Sequence, residues 1–141
     1  MSPRSFLDTN VFVYTFDAKS PEKRDRARAV VERALSDRSG VISFQVIQEF
    51  LNVASRKFST PLSPGDCLQY LDRVLVPLCE VHSSDQLYRD ALDIQERWRC
   101  AFFDSLIVAG ALSAGCEVLV SEDLQDGLRI RDLTVRDPFR A

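Results

Sequence analysis

The feature that most constrains this chain is the alternation of short apolar runs with longer segments of helical periodicity. Each of five runs predicts a strand: Ser5–Leu7, Gly40–Ile42, Pro77–Val81, Glu117–Val120 and Leu133–Val135. Strands that alternate with helices favour an α/β domain with a mostly parallel central sheet, here of about five short strands flanked by helices. The length of 141 residues suits a single domain spanning 1–141.

Helix signals occupy the segments between these runs. Pro21 suits a first helical turn and starts a helix predicted over 21–37. Ser43 is expected to cap a second helix at 44–58. The segment 105–114 is apolar on nearly every side, so we expect its helix to be central and buried.

Composition narrows the possible functions. The net charge of −3 does not favour a nonspecific coat on nucleic acid. However, 15 of the 18 basic residues are arginines, which can bind phosphate locally. No apolar run approaches the ~20 residues of a membrane span, and the N-terminus lacks the pattern of a signal peptide. We therefore expect a cytoplasmic protein that does not bind a membrane.

Several common catalytic motifs are absent from the sequence. There is no phosphate-binding Walker loop and no G-x-G-x-x-G turn. The only histidine is His82, and no G-x-S-x-G motif accompanies it. Any catalysis is therefore expected to rest on carboxylates.

Two carboxylates directly follow predicted strands. Asp8 and Asp123 each stand where an α/β sheet opens into a ligand crevice, beyond the carboxyl ends of its strands. For Asp8 the alternative is a cap on the helix that follows. For Asp123 the alternative is an ordinary turn residue, and Glu122 and Asp126 lie close enough to be confused with it.

Two further carboxylates lie on predicted helices. Glu49 shares a helix face with Val46 and Val53, where a carboxylate costs several kcal/mol unless it is paired, protonated or bound to metal. The alternative is a position at the core boundary with the carboxylate in solvent. Asp104 opens the apolar helix, where an acid also stabilises the N-terminus by ~0.3–1 kcal/mol.

Four carboxylates in one crevice would repel one another and raise each other's pKa values. A hard divalent cation removes that repulsion, and oxygen ligands suit Mg²⁺ or Mn²⁺. Such a cation can bind a phosphodiester, activate water and stabilise an in-line transition state. The sequence thus predicts an acidic metal centre that acts on phosphodiesters.

Four segments, taken in order, give the sequence a family likeness. It resembles the PIN-domain ribonucleases, and most closely the VapC-type toxins of bacterial type II toxin–antitoxin systems. The segments are Phe6–Val11 (FLDTNV), Ser43–Val53 around Glu49, Phe103–Ala109 (FDSLIVA) and Leu119–Gly127 (LVSEDLQDG).

The resemblance implies a PIN-like fold and a role for each site residue. It implies catalytic acids at Asp8, Glu49, Asp104 and Asp123, with Asp8 and Asp104 as ligands of Mg²⁺ or Mn²⁺. Asn10 and Ser121 match supporting polar positions, where Asn10 can donate a hydrogen bond to Asp8 and Ser121 can orient a carboxylate or water. Asp126 is a possible additional acid.

The resemblance also implies a metal-dependent endoribonuclease that is a homodimer and is neutralised by a cognate VapB-type antitoxin. The antitoxin is expected in a groove between the helices at 21–37 and 44–58. We expect the RNA to approach past Arg97, Arg99, Arg129 and Arg131.

Two alternatives remain open from the sequence. One is a non-catalytic PIN-type module that binds RNA or acts as a scaffold, although all four acids are present. The other is a Mg²⁺-dependent phosphatase, whose D-x-D motif is broken here because Asn10 stands where the second acid belongs.

Overall fold

The computed structural model of this chain describes residues 3–140. Its strands are β1 (Ser5–Leu7), β2 (Gly40–Ser43), β3 (Cys79–Val81), β4 (Val118–Val120), β5 (Arg129–Ile130) and β6 (Leu133–Arg136). Its helices are α1 (Thr9–Tyr14), α2 (Pro21–Ser36), α3 (Phe44–Arg56), α4 (Pro64–Tyr70), α5 (Val76–Leu78), α6 (Asp85–Trp98) and α7 (Phe102–Ser113). A π-helical turn, Leu71–Leu75, joins α4 to α5.

The strands form one sheet in the order β3-β2-β1-β4-β6-β5. Strands β1 to β4 and β6 run parallel, and β5 pairs antiparallel with β6. The chain moves from β1 to β2 on one side, whereas β4 lies on the other side of β1. Such a switch point opens a crevice at the carboxyl ends of the strands.

The register of β1 and β4 aligns their carboxyl ends. Leu7 pairs with Val120, and the Asp8 N–H donates to the Val120 carbonyl at 3.0 Å. The two residues that follow the strands, Asp8 and Ser121, therefore lie side by side at the crevice.

Burial of the central strands explains why their sequences are continuously apolar. Phe6, Ile42 and Leu119, on three adjacent strands, have no solvent exposure. Strands covered on both faces are apolar throughout instead of alternating. Helix α7 buries every residue from Ser105 to Ala111, so the expectation of a buried central helix is confirmed.

The structure differs from the predicted elements in three places. It has a sixth strand, β5, which at two residues is too short to give a sequence signal. Pro77 lies in the first turn of α5, where its fixed φ is favourable, so the predicted strand loses its first two residues. Ser43 precedes α3 but makes no capping bond. Its buried Oγ has no hydrogen-bond partner within residues 3–140, so the predicted cap is wrong.

Within residues 3–140, no helix combines the length and the apolar character needed to cross a bilayer.

Close packing of α2 on the start of β2 depends on Gly40. A Cβ atom added at Gly40 would overlap the Cβ of Ala34 on α2 and come within 3.4 Å of Leu78. The absence of a side chain at this position therefore lets the helix approach the sheet.

We predict that Gly40→Ala lowers the free energy of unfolding by about 1–3 kcal/mol, because an overpacked core must shift to admit the methyl group. Urea unfolding measures this change. Gly65→Ala is the matched control, since the nearest atom to its added Cβ is the Ser63 Oγ at 3.9 Å. A Gly40→Ala protein as stable as the wild type would contradict the packing account.

Candidate active site

The centre of the site is Asp8, which is only 7% exposed. Its Oδ1 accepts a hydrogen bond from the Thr9 N–H at 2.8 Å, so Asp8 caps α1 as well as facing the crevice. Its Oδ2 accepts a bond from the Ser121 Oγ at 2.7 Å. The two alternatives for Asp8 therefore coexist in one side chain.

Ser121 connects Asp8 to the loop that follows β4. Its buried hydroxyl donates to Asp8 and accepts from the Asp123 N–H at 3.1 Å. Asn10 Nδ2 lies 3.1 and 3.2 Å from the two carboxylate oxygens of Asp123. The expectation that Asn10 bonds to Asp8 is wrong, because Asn10 lies in the first turn of α1 and its amide reaches across to the β4 loop.

Glu49 lies in the second turn of α3, facing α1. Much of its side chain is exposed, but its Oε1 accepts a hydrogen bond from the Thr9 Oγ1 at 3.1 Å. The neighbouring Gln45 side chain also favours the ionised form of this carboxylate and so lowers its pKa. Glu49 is thus at the core boundary, as one alternative held, and its carboxylate is oriented by residues at the crevice.

Asp104 lies in the first turn of α7 and is partly buried. The preceding residue, Phe103, is fixed to α3, because its carbonyl accepts a hydrogen bond from the Gln45 Nε2 at 3.1 Å. Gln45 therefore anchors the backbone beside Asp104 from a position one helical turn before Glu49.

The four acids are coupled through their charges. Burial raises the pKa of Asp8 to about 6, hydrogen bonds from Ser121 and Thr9 oppose that rise, and the charges of Asp123 and Glu49 add to it. Burial also raises the pKa of Glu49, and repulsion by Asp104 and Asp123 contributes. The pKa of Asp104 is raised by burial. That of Asp123 is raised first by burial and then by the charge of Asp104.

The donor set fits a hard divalent cation. Within residues 3–140, no Lys or Arg forms an ion pair with any of the four acids. In that same part of the chain, no three acidic, His or Cys side chains stand close enough together to enclose a metal ion. Mg²⁺ needs no such cage, because it keeps several waters and binds through one or two carboxylates. Each Asp8 oxygen makes one hydrogen bond and retains a lone pair for a ligand.

The three acids after β4 differ in their partners. Glu122 accepts hydrogen bonds from Tyr14 and Lys23. Asp126 accepts from the Asp137 N–H at 2.8 Å and so ties the loop to the C-terminal segment. Asp123 is the one of the three whose charge raises the pKa of Asp8 and of Glu49.

The four arginines proposed to meet RNA gather beside α6. Arg97 and Arg131 both pair with Asp93 at 3.0 Å. The Arg129 Nε donates to the Arg131 carbonyl at 3.1 Å, and Arg99 ends α6 in a left-handed conformation. No contact described for residues 3–140 joins these arginines to the four acids.

Sequence reasoning missed several residues that support the acids. Thr9 follows Asp8 directly, and its place within LDTN was an available signal. Gln45 lies one helical turn before Glu49, which was a weaker signal. Tyr14 and Lys23 reach the β4 loop from more than 90 positions away, and no local pattern indicates such contacts.

Comparisons with known protein families and solved structures agree with the fold. The model of the PIN domain family matches residues 5–128, and no curated protein matches the chain. A toxin–antitoxin complex from Klebsiella pneumoniae has a TM-score of 0.69 at 17% identity, covering 97% of this chain and 99% of that chain. DNA-bound VapBC from Salmonella typhimurium has a TM-score of 0.64 at 22% identity, with the same coverage of 97% and 99%.

VapC20 of Mycobacterium tuberculosis, a toxin that cleaves the sarcin–ricin loop, has a TM-score of 0.61 at 17% identity, covering 82% of this chain and 86% of that chain. These likenesses show a shared fold. The family match extends over most of the chain, from β1 to the residue before β5. This chain therefore belongs to the PIN domain family.

Proposed function

We propose that this chain is a metal-dependent endoribonuclease and the toxin of a toxin–antitoxin module. The observation that carries the proposal is a set of four charge-coupled carboxylates from four elements, with no Lys or Arg paired to any of them among residues 3–140. Membership of the PIN family and the fold shared with VapBC toxins support the same conclusion.

Asp8 and Asp104 would hold the cation, Mg²⁺ or Mn²⁺, and Glu49 and Asp123 would position water or a second ion. When bound, the cation supplies charge for the phosphodiester and lowers the pKa of a coordinated water. Asn10 holds the Asp123 carboxylate, as Thr9 holds that of Glu49. These preset orientations spare the site from reorganising during the reaction.

An RNA substrate agrees with the chemistry of the site and with one relative's activity. VapC20 cleaves the sarcin–ricin loop, and an acidic centre that holds a cation can accept a polyanion. We propose that the arginines near Asp93 contact phosphates on the approach. The alternative of a non-catalytic module gives no reason for four coupled acids in one crevice, and that of a phosphatase lacks its second aspartate at Asn10.

An antitoxin segment would occupy the apolar cleft formed by Phe16, Phe58, Leu62 and Tyr70. Two cavities of about 550 and 310 Å³ share Phe16 and Leu62 along this cleft. The cleft lies between the ends of α1 and α3 on one side and α4 with the π-helical turn on the other, and no residue of α2 lines it, so it is not the predicted α2–α3 groove. The neighbours from Klebsiella and Salmonella are toxin–antitoxin complexes.

We propose that the protein is a homodimer on the family resemblance alone.

We predict that Asp8→Asn and Asp123→Asn each reduce metal-dependent RNA cleavage by at least a hundredfold and relieve growth arrest in a bacterial host. Each removes a charged ligand or positioning group, whereas Asp126→Asn keeps an oxygen for the Asp137 N–H and should retain cleavage. Single-turnover cleavage of labelled RNA measures the rates. Full activity of Asp8→Asn would refute the assignment, and loss of activity in Asp126→Asn alone would transfer the fourth role to that residue.

A second prediction concerns pH in the metal-free protein. The pKa of Asp8 is raised from 3.8 to about 6 in the fold, so the folded state binds this proton more tightly than the unfolded state does. Ionisation of the buried Asp8 carboxyl therefore lowers the free energy of unfolding relative to the protonated form. This cost is absent below about pH 4, grows as pH rises through 6, and is roughly 3 kcal/mol at pH 8. Asp8→Asn removes this cost.

The measurement is urea unfolding in EDTA at several pH values. We expect Asp8→Asn to be more stable than the wild type at pH 8, with the difference narrowing towards pH 4. Asp132→Asn, which removes a fully exposed carboxylate, controls for the loss of one negative charge. A stability difference that does not change with pH would contradict the raised pKa.

A further inference from the structure

A second polar cluster holds the loop after β4 from the side opposite Asp8. We call Tyr14, Lys23 and Glu122 the Glu122 clamp. The Tyr14 OH donates to Glu122 Oε1 at 2.7 Å. The Lys23 Nζ donates to Glu122 Oε2 at 3.2 Å and to the Tyr14 oxygen at 3.3 Å. Both carboxylate oxygens of Glu122 are thereby held.

Aromatic rings shield this ion pair. The Lys23 Nζ lies 4.6 Å from the centroid of the Tyr14 ring and 5.3 Å from that of Phe139. These two rings pack edge to face at 4.8 Å. The Glu122 side chain is 20% exposed and that of Lys23 is 40% exposed, so the pair is partly buried. A partly desolvated pair backed by ring faces is stronger than a typical surface pair.

The position of Glu122 connects the clamp to the acidic centre. Glu122 stands between Ser121, which bonds to Asp8, and Asp123, which bonds to Asn10. Its charge also repels the Asp123 carboxylate and contributes to raising the pKa of Asp123. The Lys23 ammonium group pairs with the Glu122 carboxylate. The pair thereby offsets a fifth negative charge next to the four acids.

We propose that Lys23 and Tyr14 are positioning residues that hold and neutralise Glu122, and so set the placement of Asp123 and the affinity of the acidic centre for a divalent cation. This inference rests on the proposed function. It extends the site to α2, whose Lys23 touches none of the four acids among the contacts described for residues 3–140.

A direct contact of Lys23 with RNA is the competing role. The geometry favours the clamp, because the ammonium group already donates to two oxygens and lies against two rings. The two roles differ in what they change. A phosphate contact affects KM and its salt dependence, whereas a positioning residue affects metal affinity and kcat.

The experiment compares Lys23→Met, Lys23→Arg, Tyr14→Phe and Glu122→Gln with wild type. Arg24→Met is the matched control. Arg24 follows Lys23 directly and carries the same charge, but it pairs with Asp25 and not with Glu122. Three quantities are measured for each protein. They are the melting temperature in EDTA, the Mg²⁺ and Mn²⁺ concentrations that give half of the metal-induced melting shift, and the kcat and KM for a labelled RNA.

We expect Lys23→Met to lower kcat ten- to hundredfold, as loss of a ligand-orienting partner typically does. The half-saturating metal concentration should rise about tenfold, because the displacement of Asp123 outweighs the added attraction of the unpaired Glu122 charge for a cation, and KM should stay within twofold. Lys23→Arg should recover most of both losses, Tyr14→Phe should show a smaller loss, and Arg24→Met should match wild type. Lys23→Met combined with Glu122→Gln should be no worse than Glu122→Gln alone, because Lys23 acts through Glu122.

Several results would overturn the clamp. These are unchanged metal affinity and kcat in Lys23→Met, a rise in KM with a shallower salt dependence, or additive losses in the double variant. Should Lys23→Met fail to fold, the isosteric Glu122→Gln decides, because it removes the carboxylate that both donors hold: a raised half-saturating metal concentration with a lowered kcat supports the clamp, and values equal to those of wild type overturn it. A wild type that binds metal but cleaves no RNA would refute the proposed function instead, and the metal-induced melting shifts would still decide on the clamp.

Discussion

The burial of like-charged carboxylates is the constraint on which the rest of the site depends, because burial is the largest cause of each raised pKa and mutual repulsion adds to three of them. Asp8 is almost completely buried, and the nearest charges that act on it, those of Asp123 and Glu49, are of its own sign. The hydrogen bonds from Thr9 and Ser121 favour the ionised form but do not restore the pKa of Asp8 to its ordinary value. Such a centre is ionised at neutral pH only at a cost to folding, and the divalent cation that we propose would offset that cost.

The sheet brings the acids together, and the helices hold them in place. The pairing of Leu7 with Val120 aligns two strand ends and sets Asp8 beside Ser121. Thr9 fixes Glu49 from α1, and Gln45 fixes the start of α7 beside Asp104. Three of the carboxylates therefore accept hydrogen bonds from another element, and the backbone beside the fourth, Asp104, is anchored to α3.

Sequence reasoning succeeded where the determinant was local or periodic. The strand at Ser5–Leu7 and the buried helix α7 follow from apolar runs and their lengths, and the sequence pattern alone also predicts the four acids. It failed where the determinant was a contact distant in sequence. Asn10 bonds to Asp123, 113 residues away, and not to the nearby Asp8. Serine is a common helix-capping residue, but the Ser43 hydroxyl is buried without a hydrogen-bond partner among residues 3–140. Tertiary packing determines this, and the sequence does not indicate it.

The most direct test of the shared cation is a melting titration with Mg²⁺ and Mn²⁺ on wild type and Glu49→Gln, with the exposed Glu32→Gln as control. A ligand bound only by the folded state at a hundred times its Kd stabilises by about 2.7 kcal/mol. Wild type and Glu32→Gln should therefore melt several degrees higher with metal than in EDTA. Glu49→Gln should show a clearly smaller rise and a metal-free melting temperature at or above that of wild type. Equal metal-induced rises in all three proteins would contradict the proposal that Glu49 belongs to the metal centre.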